Sequence, residues 1–421
     1  MSLTHIRRQY TSTYPVIPPK VHGPLHFLKL AIQDLKVPYV YLKRTLKLSV
    51  ATGASFHVQH FDVENTLSFS SKFKEYAGEE YRRGQWLVSK HIPPPSPSIM
   101  EQISADGAMD AVRLVEISVE LRVLAHEPLR HHPNIVDLLA FSWDKQSDEF
   151  GRRWPFLVVE NANCGSLVDF FQSADPSQRK LRIGMSLALD VANGLTALHH
   201  CGVVHGDLKP ENVLIFQYPD GTIRAKISDF GSATIMSDFT STDGEPSSIL
   251  LPAYTPPWEA PEVQDAIELA SLPKVDVYAF GLLFCYLITL GGNPFQIFQQ
   301  TSQIVTERFT YDLDAVADLK GHGLGMIDHA IKFIASKSTL DSDEANHAAA
   351  VINMSLHAVP SEREAMSEVL KVVGGHDHAF SMESCVSILN VLCPSTNLLF
   401  LETPFPCPPY LTILPLMTCQ K

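Results

Sequence analysis

Residues His205 to Asn212 read HGDLKPEN, followed by DFG at Asp229 to Gly231 and by APE at Ala260 to Glu262. Asp207 brings a carboxylate able to accept a proton from a hydroxyl. Lys209, two residues on, sets a fixed positive charge beside it. Asn212 offers a neutral amide oxygen and Asp229 a charged one, a pair suited to a hard cation that prefers oxygen. Singly, each piece has an ordinary reading: DFG is a common turn tripeptide, and HGD fits a strand-end histidine with a capping aspartate. Three motifs in this order, spaced 22 residues from Asp207 to Asp229 and 33 from Asp229 to Glu262, are not explained piecemeal.

The order, the spacing and the APE resemble the catalytic half of a eukaryotic-type protein kinase. That resemblance implies an α+β, two-lobed protein kinase-like fold, with a small β-rich N-lobe carrying one long helix and a larger, mainly helical C-lobe. The kinase domain is expected at 48–376, the N-lobe at 48–160 and the C-lobe at 161–376. The implied chemistry is transfer of the γ-phosphoryl group of ATP, with Mg²⁺, to Ser or Thr hydroxyls of a protein substrate. Asp207 would orient the hydroxyl and take its proton, Lys209 would offset charge on the moving group, and Asn212 and Asp229 would hold the metal. Lys209 favours Ser/Thr over Tyr, since tyrosine kinases usually place arginine and alanine in this loop.

Upstream, LSVATGASFHV at Leu48 to Val58 occupies the place of the glycine-rich phosphate loop, where close backbone approach requires small residues. Only the middle glycine, Gly53, is kept; Ala51 and Phe56 stand at the outer positions. Phe61 to Arg83 reads as a polar insertion before a strand, QWLVSKHI, whose Lys90 matches the phosphate-binding lysine. Val88 replaces the usual alanine against the adenine ring. Ala108 to Leu124 carries Val112, Val115, Val119 and Val123 at helical spacing, and Glu120 is the expected ion-pair partner of Lys90, with Glu116 its nearest rival. HPNIV at His132 to Val136 reads as a strand, and PFLVVEN runs into the link between lobes. There Val159 resembles the gatekeeper, and the backbone of Glu160 and Ala162 should face the adenine edge. By this resemblance Gly53, Val58, Val88, Lys90, Glu120, Glu160, Ala162 and Leu214 surround ATP.

Downstream, Arg179 to His200 reads as an amphipathic helix with Ile183, Leu187, Val191, Leu195 and Leu198 on one face. Val213 to Phe216 and Arg224 to Ile227 read as two strands joined at Pro219 to Gly221, a hairpin that brings Asn212 and Asp229 close. Gly231 to Ala260 is rich in Ser, Thr, Asp and Pro and reads as a mobile loop. By resemblance, Thr255 is the substrate-binding threonine, with Trp258 packed beneath it. Asp276 would anchor the catalytic-loop backbone, and Arg363 would pair with Glu262. Gly206 replaces the arginine that in the family clamps a phosphorylated loop, so activity is expected without loop phosphorylation.

Composition sets outer limits. The 421 residues are 45% hydrophobic and 19% charged, ordinary for a globular protein, and the net charge of −13 disfavours nonspecific nucleic-acid binding. The first 47 residues hold eight Lys or Arg against Asp34 alone and read as a flexible basic leader, or more weakly as a transit peptide. Seven cysteines without regular spacing fit reduced thiols and a cytoplasmic setting. The longest apolar run, Val275 to Leu290, falls short of the roughly 18 to 20 residues of a membrane span and reads as a buried helix. No chemistry is assigned to 377–421, and the oligomeric state stays open.

Two rival readings share these residues. Small-molecule phosphotransferases of the aminoglycoside or choline type also carry HGD, but usually have histidine where Lys209 stands and lack an APE followed by a buried helix of the kind that carries Asp276. A catalytically silent pseudokinase would suit the reduced glycine loop and Val88, but has no need of Asp207, Lys209, Asn212 and Asp229 together.

Overall fold

A computed structural model describes residues 27, 29–39, 48–49, 57–62, 86–91, 108–143, 154–173, 181–239, 248–300, 310–337 and 340–375. Gly53, residues 63–83 of the expected 61–83 insertion, the 240–247 stretch and the tail from 376 lie outside the described residues.

Five antiparallel strands form the small lobe's sheet: β1 (Leu48–Ser49), β2 (His57–Asp62), β3 (Trp86–His91), β4 (Leu138–Trp143) and β5 (Pro155–Glu160), in the order β1-β2-β3-β5-β4. Register sets Val58 opposite Lys90 and Val88 opposite Val159. Phe61 and Asp62, expected in the insertion, instead complete β2 opposite Leu87 and Trp86. Every residue of β5 is buried, as its unbroken apolar run requires.

Helix α1 spans Ala108–Leu124, the range read from the sequence; of its regularly spaced valines Val123 is buried, but most of the buried face is carried by other residues. Leu114, Ile117, Leu121 and Leu124 are buried, whereas Val115 and Val119 are only half-buried. Two apolar stripes run along this helix, and the longer leucine and isoleucine side chains cover more of the sheet. HPNIV forms a turn, not a strand. His131 has φ of +61°, Pro133 lacks a backbone N–H, and Ile135 makes a single parallel bridge to Ile227.

The leader is not wholly a flexible segment. Residues Lys29–Asp34 form a helical turn, Phe27 is fully buried edge-on to Phe141 and Trp143, and Phe141 donates its N–H to the Pro38 carbonyl at 3.1 Å. The segment covers β4, which ends the sheet order and would otherwise present an open edge.

The large lobe holds α2 (Leu167–Ser173), α3 (Leu181–His200), α4 (Pro273–Ile288), α5 (Leu313–Gly321), α6 (Gly325–Lys337), α7 (Ser342–Ser355) and α8 (Met366–Val373). In α3, Leu187, Val191, Leu195 and Leu198 are fully buried, as their spacing predicts, and Ile183 is half-buried. Helix α4 is buried all round from Val275 to Ile288, which marks the centre of a core. With the preceding Leu269–Ser271 turn the helical stretch reaches 20 residues, longer than the apolar run suggests and long enough to cross a bilayer; 83% of its most apolar window is buried inside the protein. Gly184 lets α3 approach α4, since a Cβ there would stand 2.3 Å from the Leu287 carbonyl oxygen.

One ion pair closes the lower part of this lobe. Arg363 is 2% exposed, and its five N–H groups meet five acceptors: both Glu262 oxygens at 2.6 and 2.8 Å, and the carbonyls of His357, Lys274 and Ala358. The guanidinium also lies 4.7 Å from the Tyr278 ring centroid. Glu262→Ala would strand this buried cation, so a loss of about 3–5 kcal/mol in chemical denaturation is expected. The Glu262→Ala/Arg363→Met double variant should recover much of that loss.

Candidate active site

The site is assembled where the sheet, α1 and the loop after α3 meet. On β3, Lys90 Nζ donates to both Glu120 oxygens of α1 at 2.6 and 2.8 Å and to Asp229 Oδ1 at 2.9 Å. The Asp229 contact, between residues 139 positions apart, was not read from the sequence. Burial opposes the Lys90 charge, but the carboxylates of Asp229 and Glu120 outweigh it and raise its pKa above the ordinary lysine value. One cation cannot offset two carboxylates equally. Burial pushes Glu120 up against the pull of Lys90, whereas at Asp229 the lysine's charge overcomes burial and holds the carboxyl below its usual range.

Asp207 lies in the loop between β6 (Val203–Val204) and β7 (Val213–Gln217). This loop hangs from one buried carboxylate: Asp276 of α4 accepts from the His205 N–H at 2.8 Å, the Gly206 N–H at 2.9 Å and His199 Nε2 at 2.9 Å. Asp276 is 1% exposed, and these donors overcome burial and keep its pKa low. Gly206 has φ of +77°, a left-handed conformation suited to glycine. Lys209 Nζ bridges Asp207 Oδ2 and Thr255 Oγ1, both at 2.6 Å. Trp258 donates its N–H to the Thr255 carbonyl and packs edge-on against Tyr286 and Phe295.

Asn212 is fixed by its own amide, whose Nδ2 donates to the Asp207 carbonyl at 2.8 Å. The Ser228 N–H and hydroxyl both bond the Asn212 carbonyl, so Asn212 lies beside the residue before Asp229. The β7 and β8 (Ile223–Ile227) hairpin enforces this by pairing Val213 with Ile227. Asp229 has φ of +68°, and Phe230 is fully buried against the His205 ring at 5.3 Å. Among the described residues no group of three or more His, Cys, Asp or Glu forms a metal cage. A carboxylate and an amide oxygen fit an ion such as Mg²⁺, which keeps waters and takes phosphate oxygens for its other positions.

Val88 and Val159 are buried as a cross-strand pair. The Glu160 amide donates to the Asp137 carbonyl, and the Ala162 carbonyl accepts from the Gly165 N–H; neither contact uses the Ala162 N–H. Leu214, half-buried, bridges to Ser166 just beyond this link. Val58 is placed on β2, with its backbone opposite Lys90.

Two further contacts had no counterpart in the sequence reading. Lys226 Nζ donates to Glu160 Oε1 at 2.6 Å, with Asp137 Oδ2 at 3.7 Å, and ties the link between lobes to β8. A lone lysine within the apolar end of β8 was the available signal. On α1, Arg122 grips Asp238 through two bonds of 2.5 and 2.7 Å. The loop beyond Gly231 is thus partly built. Strand β9 (Thr234–Ile235) pairs with β6, and β10 (Ser248–Ile249) pairs with β11 (Ile267–Glu268).

The curated relatives are similar to this chain over part of its length. Mouse (Mus musculus) serine/threonine-protein kinase DCLK2 is 34% identical over 165 residues, covering 39% of this chain and 19% of that protein. The Arabidopsis thaliana G-type lectin S-receptor-like serine/threonine-protein kinase At1g34300 is 26% identical over 275 residues, 63% of this chain and 28% of that protein. The Caenorhabditis elegans serine/threonine-protein kinase/endoribonuclease ire-1 is 29% identical over 202 residues, 45% and 18% respectively. The matched part thus spans about a fifth of the length of the first of these relatives. The family model described as Protein kinase domain matches residues 103–373, well over half of the chain. With that span and the geometry above, the chain belongs to the protein kinase domain family.

Proposed function

We propose that this protein transfers the γ-phosphoryl group of ATP, in the presence of Mg²⁺, to Ser or Thr hydroxyls of protein substrates. The observation that carries the reading is the Lys209 bridge between the Asp207 carboxylate and the Thr255 hydroxyl. It puts a proton acceptor and a cation side by side, with a threonine marking where a hydroxyl-bearing segment would lie. Asp207 orients the acceptor hydroxyl and takes its proton, while Lys209 offsets charge on the transferring group. Lys90, positioned by Glu120, holds the non-transferred phosphates, and Asn212 and Asp229 are the metal ligands. Bound Mg²⁺ would supply charge neutralisation at the phosphate oxygens. Because the transition state is loose, positioning and electrostatics carry most of the catalysis.

We take 48–376 as the catalytic unit. A cytoplasmic setting is part of the same proposal, supported by the free thiols of Cys164, Cys201 and Cys285. A radiolabelled ATP assay with generic protein substrates tests the whole reading; no label on any Ser or Thr refutes it. The same assay tests regulation. A Cβ at Gly206 would stand 3.2 Å from the Ser232 carbonyl oxygen, and Arg122 is already held by a carboxylate. Phosphatase treatment should therefore change kcat by less than about twofold, since no arginine at position 206 waits for a phosphate. Loss of activity on that treatment, with recovery on phosphorylation at Ser237, Thr240, Ser241, Thr242, Ser247 or Ser248, would contradict this.

A further inference from the structure

Thr255, Pro256, Pro257 and Trp258 make the turn that presents Thr255 to Lys209. Two of the four residues are prolines and have no N–H to donate, so the turn is weakly fastened from within. Its internal backbone bond runs from the Trp258 N–H to the Thr255 carbonyl at 2.9 Å. The carbonyls on its far side need a donor from elsewhere.

Lys320 of α5 supplies it. Its ammonium donates to the carbonyl oxygens of Pro257 and Glu259, both at 2.7 Å, and to Glu259 Oε1 at 3.0 Å. Three N–H donors thus meet three acceptors. The side chain is 2% exposed, and its Nζ lies 5.4 and 6.0 Å from the ring centroids of Phe295 and Tyr278. Burying an ammonium costs several kcal/mol before its contacts offset it. Burial also holds the Lys320 pKa below the ordinary lysine value. Methionine would fill the same slot without that cost, so packing alone does not account for a lysine here. The other Glu259 oxygen, Oε2, is buried without a partner among the described residues, so this carboxylate too is held at a desolvation cost.

We propose that Lys320, with Glu259 as its counter-charge, is a positioning residue for the protein acceptor: by fastening the Pro257 and Glu259 carbonyls it sets the Thr255–Trp258 turn on which the acceptor segment lies. The inference rests on the protein-phosphorylating function proposed above. Its contacts run to the turn and not to the nucleotide side, where Lys90, Glu120 and Asp229 form their own cluster.

The test compares full-length wild type with Lys320→Met, measuring KM for a protein substrate, KM for ATP, the slow hydrolysis of ATP without acceptor, and Tm. Protein KM is expected to rise about tenfold, while ATP KM and acceptor-free hydrolysis stay within about twofold, the pattern of lost acceptor binding. Unchanged protein KM in a folded Lys320→Met overturns the proposal, as does an equal rise in both KM values. Should Lys320→Met fail to fold, Glu259→Gln carries the test, because it keeps both carbonyl acceptors and removes the counter-charge. A protein KM unchanged in that variant overturns the proposal equally. A wild type that labels no protein refutes the underlying function, an outcome distinct from an active wild type with a normal Lys320→Met.

Discussion

Asp207→Asn is expected to lower kcat by roughly a thousandfold while leaving nucleotide affinity within about twofold of wild type. Asparagine has the shape of the aspartate and can still accept a hydrogen bond from Lys209, but it cannot take the acceptor's proton. The link from this residue to the proposed metal ligands survives, because Asn212 is held by the Asp207 backbone carbonyl and not by its side chain. Asp276 likewise grips the loop through the N–H groups of His205 and Gly206. Steady-state kinetics with calorimetric titration of Mg·ATP would separate the two effects. A kcat within tenfold of wild type would remove Asp207 from the chemistry.

Lys90→Met should reduce kcat/KM by at least about a hundredfold, through loss of the fixed charge proposed to hold the phosphates. It should also destabilise the fold in a pH-dependent way. Removing the ammonium leaves Glu120 and Asp229, with side chains 3% and 15% exposed, facing each other without a cation. Burial already raises the Glu120 pKa, and without the lysine it rises further above the unfolded value. The folded form holds protons that the unfolded form has released, so stability falls as pH rises through the unfolded carboxylate pKa and beyond. The deficit should reach about 3–5 kcal/mol near pH 8, the scale for breaking a buried pair, and shrink toward pH 5. Adding Glu120→Gln should restore much of the stability and none of the activity. Urea denaturation at the two pH values checks the first statement, and the labelling assay the second. A deficit independent of pH would mean that the two carboxylates do not sense each other.

Much of the site was legible because its residues are tied to short-range geometry. HGDLKPEN places Asp207, Lys209 and Asn212 within one loop, and the Val213–Ile227 pairing follows from two short apolar runs around a turn. The bounds of α1 were legible for the same reason. Its buried face was not, because Val115/Val119 and Leu114/Ile117/Leu121 both satisfy helical spacing, and only the partner sheet selects between them. HPNIV misled through β-branched content, while Pro133 and the His131 backbone decided for a turn. Lys320 and Arg122 carry no local mark: their partners lie 61 and 116 positions away. The hold of Phe27 and Pro38 on β4 was masked by the basic composition around them.

Asp276 joins two timescales in one molecule. The loop bearing Asp207 has its backbone nailed to the most deeply enclosed helix, so thermal motion that opens the cleft between lobes leaves Asp207 in register with the large lobe. Whatever loosens α4, even at a point remote from the cleft, would blur the aim of Asp207 before the protein unfolds, and turnover would then decline at temperatures where spectroscopy still reports an intact chain.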